Sequence, residues 1–351
     1  DFAMSVDDFH RHHGAVQAAM PTTMIAGTTH DTKRSEGVRA RALALADVAH
    51  EWSDVVRHWF ADHDHHGLDA ATVLLALHTA ATAWPIDADR MSEYLVKSAR
   101  EAELHTSWTD PDDEYETSLH SLAADLEDEL LHDLADSALG DIVMRTLRPG
   151  WANSLALLAV RLTAPGVPDL YQGTVSFTYS LVDPDNRVEP DWDERRALVD
   201  AASALDGPSA WHGDDVEAAK AVVVTRGLAL RRRRIEAFGR SAGYLPLAVT
   251  GTHADRVVAF ARSAPDQDGQ QQPLVITVVA MRLVGAWGDT AVQLPTGTWR
   301  NVLADDAEVI VGGTTAVPVA TWLDTFPVAI LDLTTPDTTP NAPTTFAWHS
   351  G

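Results

Sequence analysis

His30, Asp31, Lys33 and Arg34 stand almost side by side in the string Thr28-Thr29-His30-Asp31-Thr32-Lys33-Arg34-Ser35-Glu36. Imidazole and ammonium groups donate hydrogen bonds to hydroxyls, and a carboxylate opposes a developing positive charge. Together they suit a polyhydroxylated substrate. The elements that must position them lie on either side. Residues 23–26 are a short apolar and β-branched run that breaks at Gly27, and a helical period begins near Val38, so the order is strand, polar loop, helix. In parallel α/β architectures catalytic groups collect on the loop at a strand's carboxyl end. The plainer alternative is that Thr28, Asp31 or Ser35 caps the helix while Lys33 and Arg34 face water.

Composition narrows the classes. The 351 residues allow a large core and two domains. With 51 acidic against 26 basic side chains the net charge is −25, which repels nucleic acid and anionic membrane. No apolar run approaches the ~18 residues of a membrane span, and no signal peptide opens the chain. Cysteine is absent, which excludes disulfides and thiolate metal sites and makes a reducing cytoplasm the expected compartment. The chain opens at Asp1 inside what reads as structured sequence, as expected of the carboxyl-terminal part of a longer polypeptide.

Helical periodicity dominates the first half. Helices are expected over 5–20, from Val38 through Trp59, over 69–84 up to Pro85, over 87–104, from Asp110-Pro111 through Leu130, and over 139–163 with an interruption at Pro149-Gly150. Residues 35–163 therefore read as one helical block, far longer than an ordinary strand-to-strand connection. His10, His12 and His13, and again His63, His65 and His66, imitate metal clusters, but a solvated helix face and a polar helix end at Gly67 account for them. No metal or cofactor is expected. A short strand bounded by turn residues follows in 164–174, then Ser180-Leu181-Val182-Asp183-Pro184-Asp185-Asn186-Arg187. Asp183, Asp185 and Asn186 resemble the first ligands of a calcium loop. The later ligands are missing, so a turn held by Asx side-chain bonds is expected. Helices over 192–205 and 216–238 close this region, the second ending in four arginines that complement its dipole. From Tyr244 the period becomes 2. Strands over 245–249, 256–262, 274–281, 290–294, 298–303, 308–311, 315–319 and 328–333 imply an antiparallel β-sandwich, with a Pro/Thr-rich tail after it.

The string 29–36 resembles the signature around the third catalytic carboxylate of the maltooligosyltrehalose synthase family, glycoside-active (β/α)8 barrels of the α-amylase superfamily (glycoside hydrolase family 13 type). The stretches 164–174 and 180–187 resemble the same family, in the same order. Two departures stand out: Val175, where the family usually has Glu, and Gly37, where it usually has Asp. The resemblance implies an α/β fold divided as follows: 1–34, a late barrel segment with the seventh strand; 35–163, a helical insertion; 164–240, the eighth strand and closing helices; 241–335, a terminal β-sandwich; and 336–351, a loose tail.

The same resemblance implies a retaining isomerase that converts the reducing-end α-1,4 linkage of maltooligosaccharides into α,α-1,1. In such a reaction one carboxylate attacks the anomeric carbon and another serves as acid and then base. Carried over residue by residue, Asp31 would be the third carboxylate, His30 would hydrogen-bond the sugar in the cleaved subsite, Lys33 would face the reducing-end glucose, and Arg34 would contact substrate or pair with Glu36 or Asp31. The nucleophile and the acid/base residue are expected upstream, on strands this sequence does not contain. An amino-terminal part of the same enzyme is therefore the expected partner, and the chain alone is expected to be inactive. A plain hydrolase of the same superfamily, or a non-catalytic carbohydrate-binding protein, are the alternative readings.

Overall fold

A computed structural model describes residues 4–334 except 133, 183–184, 214–215, 306–307 and 312–314. Asp183 and the tail beyond Thr334 lie outside the described residues.

The chain begins with α1 (Val6–Ala19), capped by Ser5, whose hydroxyl accepts from the Asp8 N–H. It passes through β1 (Met24–Ile25) into α2 (Glu36–Leu45), α3 (Ala49–Asp62), α4 (Ala70–Ala83), α5 (Ala88–Ala102), α6 (Asp113–His132) and α7 (Ala138–Thr163). Asp69, Asp87 and Ser137 cap α4, α5 and α7 through their side-chain oxygens. β2 (Val167–Pro168) then returns to pair with β1 in parallel, Met24 opposite Val167 and Ile25 opposite Pro168. After α8 (Trp192–Ala202), α9 (Gly207–His212) and α10 (Glu217–Arg233) come β3 (Gly243–Pro246), β4 (Val249–Thr250), β5 (Val257–Pro265), β6 (Gln271–Ala280), β7 (Ala291–Leu294), β8 (Gly297–Asn301), β9 (Glu308–Val311), β10 (Thr315–Pro318), α11 (Ala320–Leu323) and β11 (Val328–Leu333). These strands make a six-stranded antiparallel sheet, β3-β5-β6-β11-β8-β9, and a three-stranded one, β10-β7-β4. The fold is thus mixed, with helices first and antiparallel sheets after.

Three local expectations change. The helix expected across 38–59 breaks into α2 and α3 at a 3₁₀ turn over Ala46–Val48. The helix expected over 139–163 with an interruption at Pro149-Gly150 continues through both as one element, because buried side chains hold α7 from Leu139 to Leu162 and a single missing N–H does not undo that packing. The strand expected at 245–249 divides: β3 ends at Pro246, the Leu247 N–H still donates to the Ala259 carbonyl of β5 at 3.0 Å, and the chain then joins the smaller sheet as β4.

Two apolar cores share α7. Its first half (Leu139, Val143) packs with α4, α5 and α6, whereas Leu155, Leu158, Ala159 and Leu162 pack with α10 and the inner face of β5, β6 and β11. At ~1.5 Å rise per residue this helix is long enough to reach through both. His10 and His13 correct the expectation of a solvated α1 face. Both are half-buried, His10 Nδ1 lies 2.8 Å from the Tyr244 hydroxyl, and His13 stacks on the Tyr244 ring.

Candidate active site

The loop between β1 and α2 is tied internally. The Thr32 hydroxyl donates to the Thr29 carbonyl at 2.9 Å and accepts from the Thr29 N–H at 3.1 Å, and the Asp31 N–H donates to Thr29 Oγ1. Buried Thr28 satisfies the first free N–H of α2, accepting from Glu36 N at 2.9 Å. Ser35 stands at the N-cap position, yet its hydroxyl donates to the Thr178 carbonyl instead. The Asp31 carboxylate does not cap the helix. It lies 3.1 Å from His30 Nε2 and 3.6 Å from Arg187 Nη2, with about three-quarters of its side chain open to solvent. His30 is exposed beside it.

The second motif buttresses the first. Buried Asn186 donates from Nδ2 toward three carbonyls that bracket Asp31: those of Thr29 at 3.3 Å, His30 at 3.1 Å and Thr32 at 3.4 Å. Val182 N–H donates to the Lys33 carbonyl and Ser35 N–H to the Ser180 carbonyl, so the two strings run against each other as a short antiparallel pair. Asp185 accepts from the Leu181 N–H at 2.8 Å and forms a two-pronged pair with Arg90 of α5, at 3.0 and 2.8 Å. The bond at Asp185 differs from the expected Asx turn, since its carboxylate accepts from the N–H four residues before it and not two residues on, and the cation beside it is a guanidinium. No group of three or more potential metal-ligating side chains occurs among the described residues.

Lys33 and Arg34 leave the loop in the direction of the helices. Lys33 Nζ pairs with Glu101 of α5 at 2.9 Å. Arg34 donates to Thr79 Oγ1 at 3.1 Å and Tyr94 Oη at 3.3 Å, and its Nη1 lies 2.7 Å from His78 Nδ1. Burial, with the Arg34 charge adding to it, pushes the His78 pKa down to about 4, so the ring is neutral and accepts. His30 and Asp31 thus share one exposed face, while Arg34 joins α4 and α5 to the loop.

Below the loop lies a group that the sequence reading did not single out. The buried Glu36 carboxylate contacts Arg161 Nη1 of α7 and lies 2.9 Å from Lys220 Nζ of α10, a lysine with no exposed side chain. Burial works to raise the Glu36 pKa, but the Lys220 ammonium and the Arg161 guanidinium outweigh it and hold the carboxyl at about 2. A Cβ on Gly27 would fall 1.7 Å from Arg161 Nη1 and 2.0 Å from Glu36 Oε2, so the pair depends on that glycine. The available signal was a lone charge inside each of two apolar helical runs, Arg161 and Lys220. Both departures from the family pattern also have a physical reason here. A Cβ on Gly37 would lie 2.2 Å from the Thr178 carbonyl oxygen, and Val175 is buried in the larger core.

No protein-family model matches the chain. A Mycobacterium tuberculosis protein that carries the name maltooligosyl trehalose synthase is 33% identical over 311 residues, which cover 86% of this chain and 37% of that protein. The solved maltooligosyltrehalose synthase of Arthrobacter ramosus superposes with a TM-score of 0.81 at 32% identity, over 95% of this chain and 41% of the other. A further solved maltooligosyl trehalose synthase, 22% identical with a TM-score of 0.76, shares the fold. The chain therefore spans about two-fifths of the length of the proteins it matches, and the resemblance carried by residues 29–36 and 164–187 extends along nearly all of it.

Proposed function

We propose that this chain, similar along most of its length to two-fifths of a maltooligosyltrehalose synthase, is the carboxyl-terminal part of such an enzyme and acts with an amino-terminal part to turn the reducing-end α-1,4 linkage of a maltooligosaccharide into α,α-1,1. The observation that carries this reading is the contact of Asn186 with the carbonyls around Asp31: the two strings that resemble the family meet at the proposed site. In this reading β1 and β2 are the seventh and eighth strands of a (β/α)8 barrel, α2 to α7 are a helical insertion between them, and the antiparallel sheets are the terminal sandwich, with the division at 34, 163, 240 and 335 given above. The cytoplasm is the proposed compartment.

Asp31 orients sugar hydroxyls and opposes the positive charge that grows at the anomeric carbon. His30, paired with Asp31 at 3.1 Å, donates to a hydroxyl of the glucose being transferred. Lys33 releases Glu101 to meet the reducing-end glucose. Arg34 has a different task in our proposal: held by His78, Thr79 and Tyr94, it sets the helical unit against the loop. The nucleophile and the acid/base carboxyl belong to the amino-terminal part, so the 351-residue chain alone is inactive. The detached glucose must be kept from water while its anomeric hydroxyl attacks the covalent intermediate, since hydrolysis competes otherwise.

The test is product analysis of the complete enzyme containing this chain, fed with maltopentaose. The proposal expects a non-reducing, trehalose-ended product, and a loss of about 10²–10³ in kcat for Asp31→Asn with the fold intact. Release of glucose and shortened chains as the main products would place the protein among plain hydrolases. An unchanged kcat in Asp31→Asn would remove the catalytic role of this loop.

A further inference from the structure

β1 and β2 run parallel, so the loops that leave their carboxyl ends open toward the same side of the molecule. Asp31 stands on the first loop. The second, through Gln172, forms one wall of a cleft of about 280 Å³ that shares Asn186 with the first and is closed elsewhere by Arg90, Ser180, Glu189 and Arg195. Two sets of polar groups line it. Arg90 and Asp185 are spent on each other, and the carbonyls of Pro85 and Tyr179 and the Leu181 N–H take what they have left. Arg195 of α8 is not spent. Its guanidinium is held 5.5 Å from the centre of the Trp192 ring, yet its buried Nη1 has no hydrogen-bond partner among the described residues. Burial lowers the Arg195 pKa, with the Glu194 charge opposing it. A buried donor without an acceptor is rare in a folded protein and asks for a ligand or a water. Gln172 adds strain: it is held in the left-handed region at φ 51°, with Nε2 donating to the Val188 carbonyl at 3.1 Å. Such conformations cluster at ligand clamps.

The lining selects the ligand. An anion would meet the carboxylates of Asp185 and Glu189, and a cation would meet Arg90 and Arg195. A neutral ring of hydroxyls can take the free donor of Arg195 and the exposed Glu189 carboxylate together, while Pro85, Val188 and Pro190 offer apolar edges to its C–H faces. The volume falls near the lower end of the ~300–1,000 Å³ usual for small-molecule clefts, which suits a single sugar ring. Position then gives the direction. Arg90 lies in the first turn of α5 at the cleft, and Glu101, the partner of Lys33, lies in the last turn, about 16 Å away at ~1.5 Å per residue. We infer, on the maltooligosaccharide reading above, that this cleft binds a glucosyl unit on the non-reducing side of the reacting linkage, Arg195 Nη1 donating to one ring hydroxyl and Glu189 accepting from another. Lys33 and the cleft hold opposite ends of the bound segment, and the filling of the cleft sets which chain lengths react well.

Arg195→Met keeps the reach of the side chain and removes its donors. Glu189→Gln is a nearly isosteric change at an exposed position, so it decides the matter if Arg195→Met fails to fold. Both would be made in the complete enzyme, and kcat/KM measured for each sugar from maltotriose to maltoheptaose. Calorimetric Kd values for the same sugars would be taken in the Asp31→Asn background, where binding is read without turnover. Expected is a fall of about tenfold in the ratio of kcat/KM for maltoheptaose to that for maltotriose in Arg195→Met, carried by KM, and about threefold in Glu189→Gln, where an amide oxygen still accepts. The Kd values should show the same dependence on length. A loss of equal factor at every length would overturn the inference, since Arg195 would then only support the fold. An unchanged ratio would overturn it as well, since no glucosyl unit would reach the cleft. Length-dependent loss of affinity in an enzyme that makes no trehalose-ended product sinks the activity and leaves the cleft standing. Trehalose-ended product with unchanged ratios in both variants does the reverse.

Discussion

The Nδ2 of Asn186 lies within reach of the Thr29, His30 and Thr32 carbonyls, so the backbone on either side of Asp31 depends on an amide more than 150 residues further along the chain. Replacing it with Leu keeps the volume and removes the donor; the Thr29 carbonyl keeps its bond from the Thr32 hydroxyl, whereas the His30 and Thr32 carbonyls lose the amide, at about 1 kcal/mol. Under the proposed function, the expected outcome in the complete enzyme is a fall of about tenfold or more in kcat with a smaller change in KM, because a loop displaced by a fraction of an ångström would still bind sugar but aim Asp31 badly. Steady-state kinetics that show KM rising with kcat unchanged would mean Asn186 serves binding and not alignment. Glu36 gives a second test, read in stability. Its carboxyl titrates near 2 in the fold against an ordinary 4.5, so the unfolded chain takes up the proton first as pH falls. The contribution is complete above about pH 4.5 and is lost between there and pH 2, about 3 kcal/mol in all. Glu36→Gln should remove that pH dependence from urea unfolding midpoints and cost about 3–5 kcal/mol at neutral pH, where Arg161 and Lys220 are left buried without their anion. Neither residue's task was legible beforehand. Asn186 looked like an ordinary turn residue, and the partners of Glu36 come from α7 and α10, a pairing no local pattern encodes.

At the scale of elements, legibility followed how local the cause is. Capping and periodicity announced α1, α4 and α5, periodicity announced α6 although it starts at Asp113 and not at Pro111, and short runs between turn residues announced β5, β6 and β11 to within a few residues. The failures came where a distant contact decided. The apolar stripe from Val38 to Trp59 keeps its spacing across the 3₁₀ turn at Ala46–Val48, so the break between α2 and α3 leaves no trace in the pattern. Gly37 is a departure that the element itself explains: α2 starts so close to the backbone at Thr178 that a side chain there meets a carbonyl oxygen. Gly37→Asp, which restores the residue common in the resembling family, should therefore lower stability by about 1–3 kcal/mol, as overpacking does. A thermal midpoint that rises in Gly37→Asp would show that α2 can move away from Thr178 at little cost.

The whole molecule carries a net charge of −25, and its cations are spent unevenly. Arg90, Arg161, Lys220, Arg233 and Arg234 sit in close pairs with Asp185, Glu36 and Asp332, joining α5, α7, α10 and β11 to their neighbours. The acidic excess is left on the surface. Composition made that imbalance visible at once, whereas the use of the basic residues as internal ties appears when α7 and α10 are seen to share one core with the sheet. The two populations respond differently to salt. Exposed like charges repel one another and destabilise the folded chain, and a Debye length shrinking from about 30 Å at 0.01 M to about 3 Å at 1 M removes most of that repulsion. Buried pairs such as Glu36 with Lys220 are screened far less. Raising sodium chloride at pH 7 should accordingly increase the thermal midpoint of this chain, steeply at first and then levelling. The same series on Glu36→Gln should run parallel and lower, because the lost pair lies beyond the reach of salt. A midpoint that falls with salt in the parent chain would mean that surface pairs such as Lys33–Glu101 and Arg145–Glu51 outweigh the acidic excess.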